Sequence, residues 1–239
     1  MSPSARPRLL LAAGVLCGLA LLGVAAAGLF WLLAPARFPV TQVVLKGDLA
    51  NTTEAEIRAA LPRASGNFFA LDLAQVRASV ERLPWVRRVS VRRVWPDRLE
   101  LAVEEHVALA RWGTGDEVGA LVNTHGERFS AKSKAALPSF VAPAGTSPEV
   151  TLRYRRFSQI VAPLGTSVER VVLTQRHAWQ LRLANGLHVM LGRDGDQAEA
   201  RLRRFVEAYG QSVDKGRKHD YIDLRYPNGF ALRVPDGNG

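Results

Sequence analysis

The sequence contains one cysteine, Cys17, which lies inside a long apolar run. A single cysteine excludes a disulfide within the chain, so the residues after the run must be held by packing. The histidines show no metal-binding spacing such as H-E-x-x-H, and none has a nucleophile beside it in a known motif. These absences predict no catalytic site, no metal and no cofactor. The histidines are interpreted as solvated strand residues: His106, His125, His177, His188 and His219.

The charge is strongly one-sided, with 32 basic and 22 acidic residues and a formal net charge of +10. Such a balance raises the question of a nucleic-acid partner. The basic residues are scattered over both halves, and no recognition helix or RNA-binding platform is present. The glycines of Gly113–Gly119 miss the dinucleotide-binding spacing. We therefore predict neither a nucleic-acid partner nor a small-molecule substrate.

Leu9–Ala34 is a run without a charged residue. As a helix it would reach about 39 Å, which exceeds the roughly 30 Å apolar core of a bilayer. A cleaved signal peptide is the competing interpretation, because Ala25–Gly28 resembles a cleavage site. The run is longer than the apolar region of a signal peptide, which has about 7–15 residues, and it continues through Trp31, which favours an uncleaved anchor. Arg6 and Arg8 favour a cytoplasmic tail at 1–8 and a transmembrane helix at 9–34.

The segment from Phe38 to about His106 shows the pattern of a small α+β unit. Its elements are predicted in the order strand, helix, helix, strand, strand, with both helices on one face of the sheet. Thr52 or Thr53 can cap the first helix, and a proline ends each helix. The predicted elements are a strand at Phe38–Leu45, helices at Glu54–Leu61 and Asp72–Leu83, and a hairpin from Trp85 to Val103 that turns at Trp95–Asp97.

The remaining residues are predicted to form a mostly antiparallel β domain with flanking helices. Asn185-Gly186 is a strong signal for a two-residue hairpin turn. Apolar residues in Gln197–Tyr209 recur at helical spacing. Ser130–Pro148 is interpreted as an excursion from the sheet. The predicted strands are Ala108–Trp112, short strands within Leu121–Phe129, a hairpin at Trp179–Ala184 and Leu187–Leu191, and a last hairpin at Tyr221–Tyr226 and Phe230–Val234 around Pro227–Gly229.

Two sets of segments resemble a known family. Leu83–Val86, Arg92–Pro96 and Leu99–Val103 resemble the end of a polypeptide-transport-associated (POTRA) module. The second set consists of Trp179–Leu183, Asn185-Gly186, Leu191–Arg193, Arg204–Val206 and Tyr221–Tyr226. Together they resemble the FtsQ family of bacterial cell-division proteins, and the second set separates FtsQ from other POTRA proteins. Ala108 departs from the family, which often has proline there. The resemblance implies a single N-terminal transmembrane helix, a β-α-α-β-β POTRA module at 38–106 and an FtsQ-type C-terminal β domain at 107–239.

The resemblance also implies a function. It predicts an essential, non-enzymatic scaffold of the cell inner membrane that lies mainly in the periplasm, concentrates at the division septum, and binds FtsB and, through it, FtsL and other division proteins. A final strand at a sheet edge leaves backbone groups free to pair with a partner strand. Arg176 would pair with a partner carboxylate, and Tyr226 would be an aromatic anchor unless it is a buried core residue. The residues that match the partner-binding surface are Arg176, Arg225, Tyr226, Asn228 and Gly229.

Two other functions stay open at this point. A membrane-anchored POTRA factor in secretion or outer-membrane assembly would continue into many alternating strands of about ten residues, and no segment after residue 112 fits that pattern. An envelope enzyme acting on peptidoglycan would need an essential carboxylate or serine, and none stands out. The arginines of the small α+β unit form either the solvent-exposed face of its sheet or a site for acidic partners or anionic lipid head groups. They are Arg82, Arg87, Arg88, Arg92, Arg93 and Arg98.

Overall fold

The computed structural model describes two compact units, Met1–Glu105 and His106–Gly239. The residues described are 5–34, 38–62, 67–113, 120–211, 220–226 and 229–233. The predicted α+β class is confirmed, because helices and sheets occur in both units. Each unit has its own hydrophobic core.

The first unit begins with a long apolar helix, α1 (Ala5–Leu33). Its stretch Ala13–Leu32 has no charged residue, and its side chains lie outside the core of the unit. A helix that is apolar on all sides needs an apolar environment around it. α1 is therefore long and apolar enough to cross a membrane.

The rest of the first unit, as far as its residues are described, is a three-stranded sheet with two helices. The strand order is β1-β3-β2, so the third strand lies in the centre. β1 pairs with β3 in parallel and β2 pairs with β3 antiparallel. The predicted order strand, helix, helix, strand, strand is confirmed. The elements are β1 (Gln42–Lys46), α2 (Glu54–Ala60), α3 (Leu73–Val80), β2 (Val86–Val94) and β3 (Arg98–Glu105).

Both short helices begin at side-chain caps. Thr53 accepts a hydrogen bond from the amide of Glu56, and the Glu56 carboxylate accepts one from the amide of Thr53 in return. Asp72 caps α3 through the amides of Ala74 and Gln75. Such caps satisfy helix amides that have no partner inside the helix. The helices bury their apolar face on the sheet, in a core formed by Ile57, Val76, Val80, Val86, Val89, Leu99, Leu101 and Val103.

The second unit is a nine-stranded sheet within the described residues, with two helices packed on it. Its order is β12-β11-β10-β9-β8-β7-β4-β5-β6, and five of the eight pairings are antiparallel. The strands are β4 (Ala108–Trp112), β5 (Ala120–Asn123), β6 (Arg128–Ser130), β7 (Ser139–Val141), β8 (Val168–Leu173), β9 (Trp179–Leu183), β10 (His188–Gly192), β11 (Tyr221–Asp223) and β12 (Ala231–Arg233). The helices are α4 (Ser147–Val161), followed by a 3-10 turn at Ala162–Leu164, and α5 (Gly195–Gln211).

Two features of this unit differ from the sequence-based expectation. Ser130–Pro148 was expected to leave the sheet, but β7 lies within it and pairs in parallel with β4 and β8. α4 had no counterpart in the prediction. It buries Val150, Phe157 and Val161 in the core of the unit, and it provides the crossover that the parallel strands β7 and β8 need.

Candidate protein-binding edge

The last strand of the described chain, β12, lies at one edge of the large sheet. It pairs antiparallel with β11, from Tyr221↔Arg233 to Asp223↔Ala231, and its other side has no strand among the described residues. The predicted antiparallel pairing of the last two strands is confirmed. The turn between them was predicted at Pro227–Gly229, of which Pro227 and Asn228 lie outside the described residues. An edge strand presents backbone donors and acceptors that an incoming strand can pair with.

Tyr226 stands beside this edge with 56% of its surface exposed. The alternative that it is a buried core residue is therefore wrong. A shallow cavity of about 210 Å³ opens next to its ring. The floor of the cavity is aromatic, since Phe205 and Phe230 meet edge to face at 5.6 Å between ring centroids. The cavity is lined by Arg201, Arg204, Phe205, Leu224, Tyr226 and Phe230, among others. A large side chain of a partner strand could pack here while its backbone pairs with β12.

Arg225 forms an ion pair within the chain, with Asp223. Its guanidinium donates from Nε to both carboxylate oxygens of Asp223, at 2.9 and 3.0 Å, and from Nη2 to Oδ2 at 2.5 Å. Asp223 is buried at the end of β11. These hydrogen bonds lower the pKa of Asp223 against the effect of burial and raise the pKa of Arg225. The pair fixes the backbone that leads to Tyr226, so Arg225 positions the candidate site.

Gly192 provides the space that this pair requires. The residue has a φ of +82°, and a Cβ built on it would lie 3.2 Å from Cγ of Arg225 and 3.3 Å from Nη1 of Arg201. Arg201 in turn donates to the carbonyl oxygen of Leu191 at 2.9 Å. The end of β10, the start of α5 and the end of β11 are therefore packed closely together. Only glycine fits this position without strain.

Arg176 lies at the same end of the sheet as Tyr226. It is exposed in the loop that precedes β9, where the amide of Thr174 donates to the carbonyl oxygen of Ala178 at 3.0 Å. The start of β9 pairs with the end of β10, and the end of β11 runs beside the end of β10. Two strand spacings, about 10 Å, thus separate β9, which follows the loop of Arg176, from β11, which precedes Tyr226. Gly229 is exposed next to the cavity, and Asn228 lies outside the described residues.

Helix α5, which lies behind the cavity, is held by a buried carboxylate, that of Glu199. This residue was not identified from the sequence. Glu199 on α5 is buried and accepts from Arg153 of α4 at 2.5 Å. Arg156 and Arg203 lie 3.3 and 3.4 Å from the same carboxylate. This cluster joins α4 to α5 and so supports the helix that carries Arg201 and Phe205. The sequence signal is weak, because glutamate on an arginine-rich helix is usually a surface residue.

The described residues contain no group of three His, Cys, Asp or Glu side chains that could hold a metal ion. His106 is accounted for by structure, since its Nδ1 lies 2.9 Å from Nδ2 of Asn123 and its ring stacks on Phe129 at 4.1 Å. His219 lies outside the described residues. Glu105 accepts hydrogen bonds from the amides of residues 50–52, which is a structural role. The site therefore offers backbone pairing, aromatic packing and positive charge.

These features define a class: a protein with one apolar N-terminal helix, a POTRA-like unit and a C-terminal sheet whose edge is suited to binding. Family comparisons agree with this class. Residues 38–106 match the model "POTRA domain, FtsQ-type", and residues 110–225 match "Cell division protein FtsQ/DivIB, C-terminal". The chain belongs to the FtsQ family, whose members are non-catalytic cell-division proteins. The resemblance seen in the sequence is thereby confirmed.

Similar proteins come from several bacteria, and each bears the name cell division protein FtsQ. The chain is 41% identical to that of Burkholderia pseudomallei over 231 residues, which cover 94% of this chain and 91% of the relative. It is 36% identical to that of Neisseria gonorrhoeae, with 90% and 88% covered. It is also 36% identical to that of Escherichia coli, with 84% and 75% covered. The similarity thus extends over most of the chain.

Proposed function

We propose that this chain is a division scaffold of the inner membrane that binds FtsB and, through it, FtsL at the septum. In this proposal α1 is a single-pass anchor with a cytoplasmic N-terminus, and the rest of the chain lies in the periplasm. The division into a tail at 1–8, an anchor at 9–34, a POTRA domain at 38–106 and a β domain at 107–239 belongs to the same proposal. Membership of the FtsQ family supports it.

The observation that carries the proposal is the open edge of β12 beside an exposed tyrosine. A partner strand would add to β12 through backbone hydrogen bonds and place a large side chain in the cavity next to Tyr226. Arg176 at the same end of the sheet would pair with a partner carboxylate. Arg225 would act through Asp223 by holding the backbone before Tyr226. Gly229, and Asn228 beyond the described residues, would shape the turn that leads into the edge.

The test is calorimetry of the full chain in lipid nanodiscs with a periplasmic FtsB segment. Tyr226→Ala should weaken binding by about 2 kcal/mol, as expected for a central aromatic anchor. Leu152→Ala is the matched control, because Leu152 is an exposed apolar residue of α4 in the same unit. Hydrogen exchange should show slower exchange of the amides in β12 when the segment is bound. Wild-type binding with unchanged exchange at β12 would contradict strand addition.

The alternative of a POTRA factor in secretion or outer-membrane assembly receives no comparable support. The second unit is matched by the FtsQ/DivIB C-terminal model rather than by a transport domain. A depletion experiment separates the two functions. Depletion should give filamentous cells with incomplete septa, whereas normal division together with defective outer-membrane assembly would favour the alternative.

A further inference from the structure

The end of α1 is tied directly to the POTRA unit by a buried amide. Asn67 is only 1% exposed, and its Nδ2 donates to the carbonyl oxygens of Leu32 at 2.5 Å and Ala34 at 2.9 Å. The last carbonyl groups of a helix have no partner within the helix, so Asn67 satisfies two groups that would otherwise need water. The loop 67–71 therefore lies at the level where α1 ends.

Aromatic rings extend from the helix end into this loop. Trp31 of α1 meets Phe38 edge to face at 6.2 Å, and Phe38 meets Phe69 in the same way at 5.4 Å. Phe69 nevertheless keeps 41% of its surface exposed. Tryptophan favours the zone where bilayer and water meet, because its large ring is apolar while its indole N–H is polar, and a neighbouring phenylalanine adds apolar surface there.

A second exposed aromatic side chain lies at the same end of the sheet. β1 and β3 run in parallel and pair Gln42 with Arg98, so the turn that leads into β3 lies where β1 begins. The carbonyl oxygen of Asp97 accepts hydrogen bonds from the amides of Thr41 at 3.0 Å and Gln42 at 3.4 Å. Trp95 stands on this turn with 78% of its surface exposed.

The loop and the turn are held together as one surface. Arg93, two residues before Trp95, donates to the carbonyl oxygen of Phe68 at 2.7 Å and also to that of Leu71. Phe69 and Trp95 are thus fixed on neighbouring segments, close to the residues that follow α1. We name this surface, loop 67–71 with turn 95–97, the aromatic platform.

We propose that the aromatic platform docks on the phospholipid bilayer that α1 crosses, with Phe69 and Trp95 inserted among the head groups. The proposal rests on the proposed function only in taking α1 as a membrane anchor. The bilayer is the expected occupant because the platform is continuous with the end of the apolar helix. Docking would fix the orientation of the POTRA unit relative to the bilayer, in addition to the contacts through Asn67 and Phe38 that tie the unit to the end of α1.

The test measures the depth of a nitroxide label in the full chain reconstituted in nanodiscs. Cys17 is the only cysteine, so Cys17→Ala gives a background without cysteine. One label is placed at Arg98→Cys, an exposed position beside the turn, and a control label at Asp48→Cys, an exposed position at the far end of the sheet. The two positions are separated by about 20 Å along the strands. The label at 98 should be protected from a water-soluble nickel chelate, and the label at 48 should not.

The contribution of Trp95 is tested on the label at 98. Trp95→Ser should reduce the ratio of docked to free unit about tenfold, which corresponds to about 1.4 kcal/mol. Trp95→Phe should keep most of the protection, and Leu152→Ser, which removes an exposed apolar side chain from the other unit, should change nothing. Because Trp95 is exposed, these variants are expected to fold, and circular dichroism checks this.

Several outcomes overturn the inference. Equal accessibility of labels 98 and 48 would show that no docking occurs. Protection in phosphatidylglycerol but not in phosphatidylcholine discs would assign the contact to the arginines instead of the aromatic rings. Protection that requires an added FtsB segment would make the platform a protein contact. FtsB binding without docking would refute only this inference, and docking without FtsB binding would refute only the proposed function.

Discussion

Replacing Glu105 by glutamine should loosen the start of α2 in the POTRA unit. The Glu105 carboxylate accepts hydrogen bonds from three consecutive backbone amides, those of Thr52 at 2.7 Å, Asn51 at 2.9 Å and Ala50 at 3.0 Å. A hydrogen bond to a charged group contributes about 1.5–3 kcal/mol when it is sheltered, and less when solvent screens it. Glutamine keeps one acceptor oxygen but turns an NH2 group toward amide donors. We therefore expect a loss of about 2 kcal/mol.

The same contact predicts a pH dependence with a definite sign. Partial burial would raise the pKa of Glu105, but the hydrogen bonds from residues 50–52 outweigh it and keep the pKa below its ordinary value. In the unfolded chain the pKa of a glutamate carboxyl group is about 4.3. The stabilisation is thus fully present above that pH and is lost as the pH falls through the lower folded pKa. The Glu105→Gln variant should lack this acid-dependent loss.

Hydrogen exchange of the amides of residues 50–52 measures both effects locally in the full chain. A loss of about 2 kcal/mol corresponds to roughly thirtyfold faster exchange at neutral pH, after correction for intrinsic rates. Glu104→Gln is the matched control, because Glu104 is a neighbouring, half-exposed carboxylate of the same strand that pairs with Arg87 at 2.6 Å. Equal exchange in the two variants would refute the reasoning.

Two further substitutions test the architecture behind the candidate edge. Gly192→Ala should destabilise the second unit by about 1–2 kcal/mol, because alanine is strained at the positive φ of this position. The new methyl group should also displace Arg225. Gly186→Ala is the control, because Gly186 has a similar φ but open space around it. Thermal unfolding should show both losses, and only Gly192→Ala should weaken FtsB binding. Glu199→Ala should destabilise the second unit by about 3 kcal/mol, because it removes the buried partner of the largely buried Arg153, which keeps only its pair with the exposed Asp196 among the described ion pairs. Exposed Glu207 is its control, and equal melting temperatures for the two alanine variants would contradict the assignment.

The sequence predicted the first unit well because its local signals agree. Thr53 and Asp72 cap the helices, and Val89, Leu99 and Leu101 alternate with polar residues along the hairpin. The parallel pairing of β1 with β3 was not predicted, because register between distant segments leaves no local pattern.

The second unit was predicted less completely, for physical reasons that particular residues show. α4 buries Val150, Phe157 and Val161, but charged residues such as Arg153 and Arg156 lie between them and dilute the apolar periodicity. A 15-residue helix was therefore missed.

The candidate edge shows the same limit. Tyr226 was predicted to be an aromatic anchor, but burial in the core stayed open as an alternative, because an aromatic residue near a strand end suits a core as well as a surface. The position of Arg176 at the same end of the sheet as Tyr226 follows from the order and directions of β11, β10 and β9, which sequence spacing does not specify.

The position of β12 at the edge also determines when the proposed binding surface can form. N-terminal segments of a growing chain emerge and fold first. β11 joins β10 only after α5 has crossed over the sheet, and β12 joins β11 after that. A chain interrupted after α5 would keep the apolar helix, the POTRA unit and most of the large sheet, but it would lack the edge. Partner binding through β12 would thus distinguish fully synthesised copies from interrupted ones.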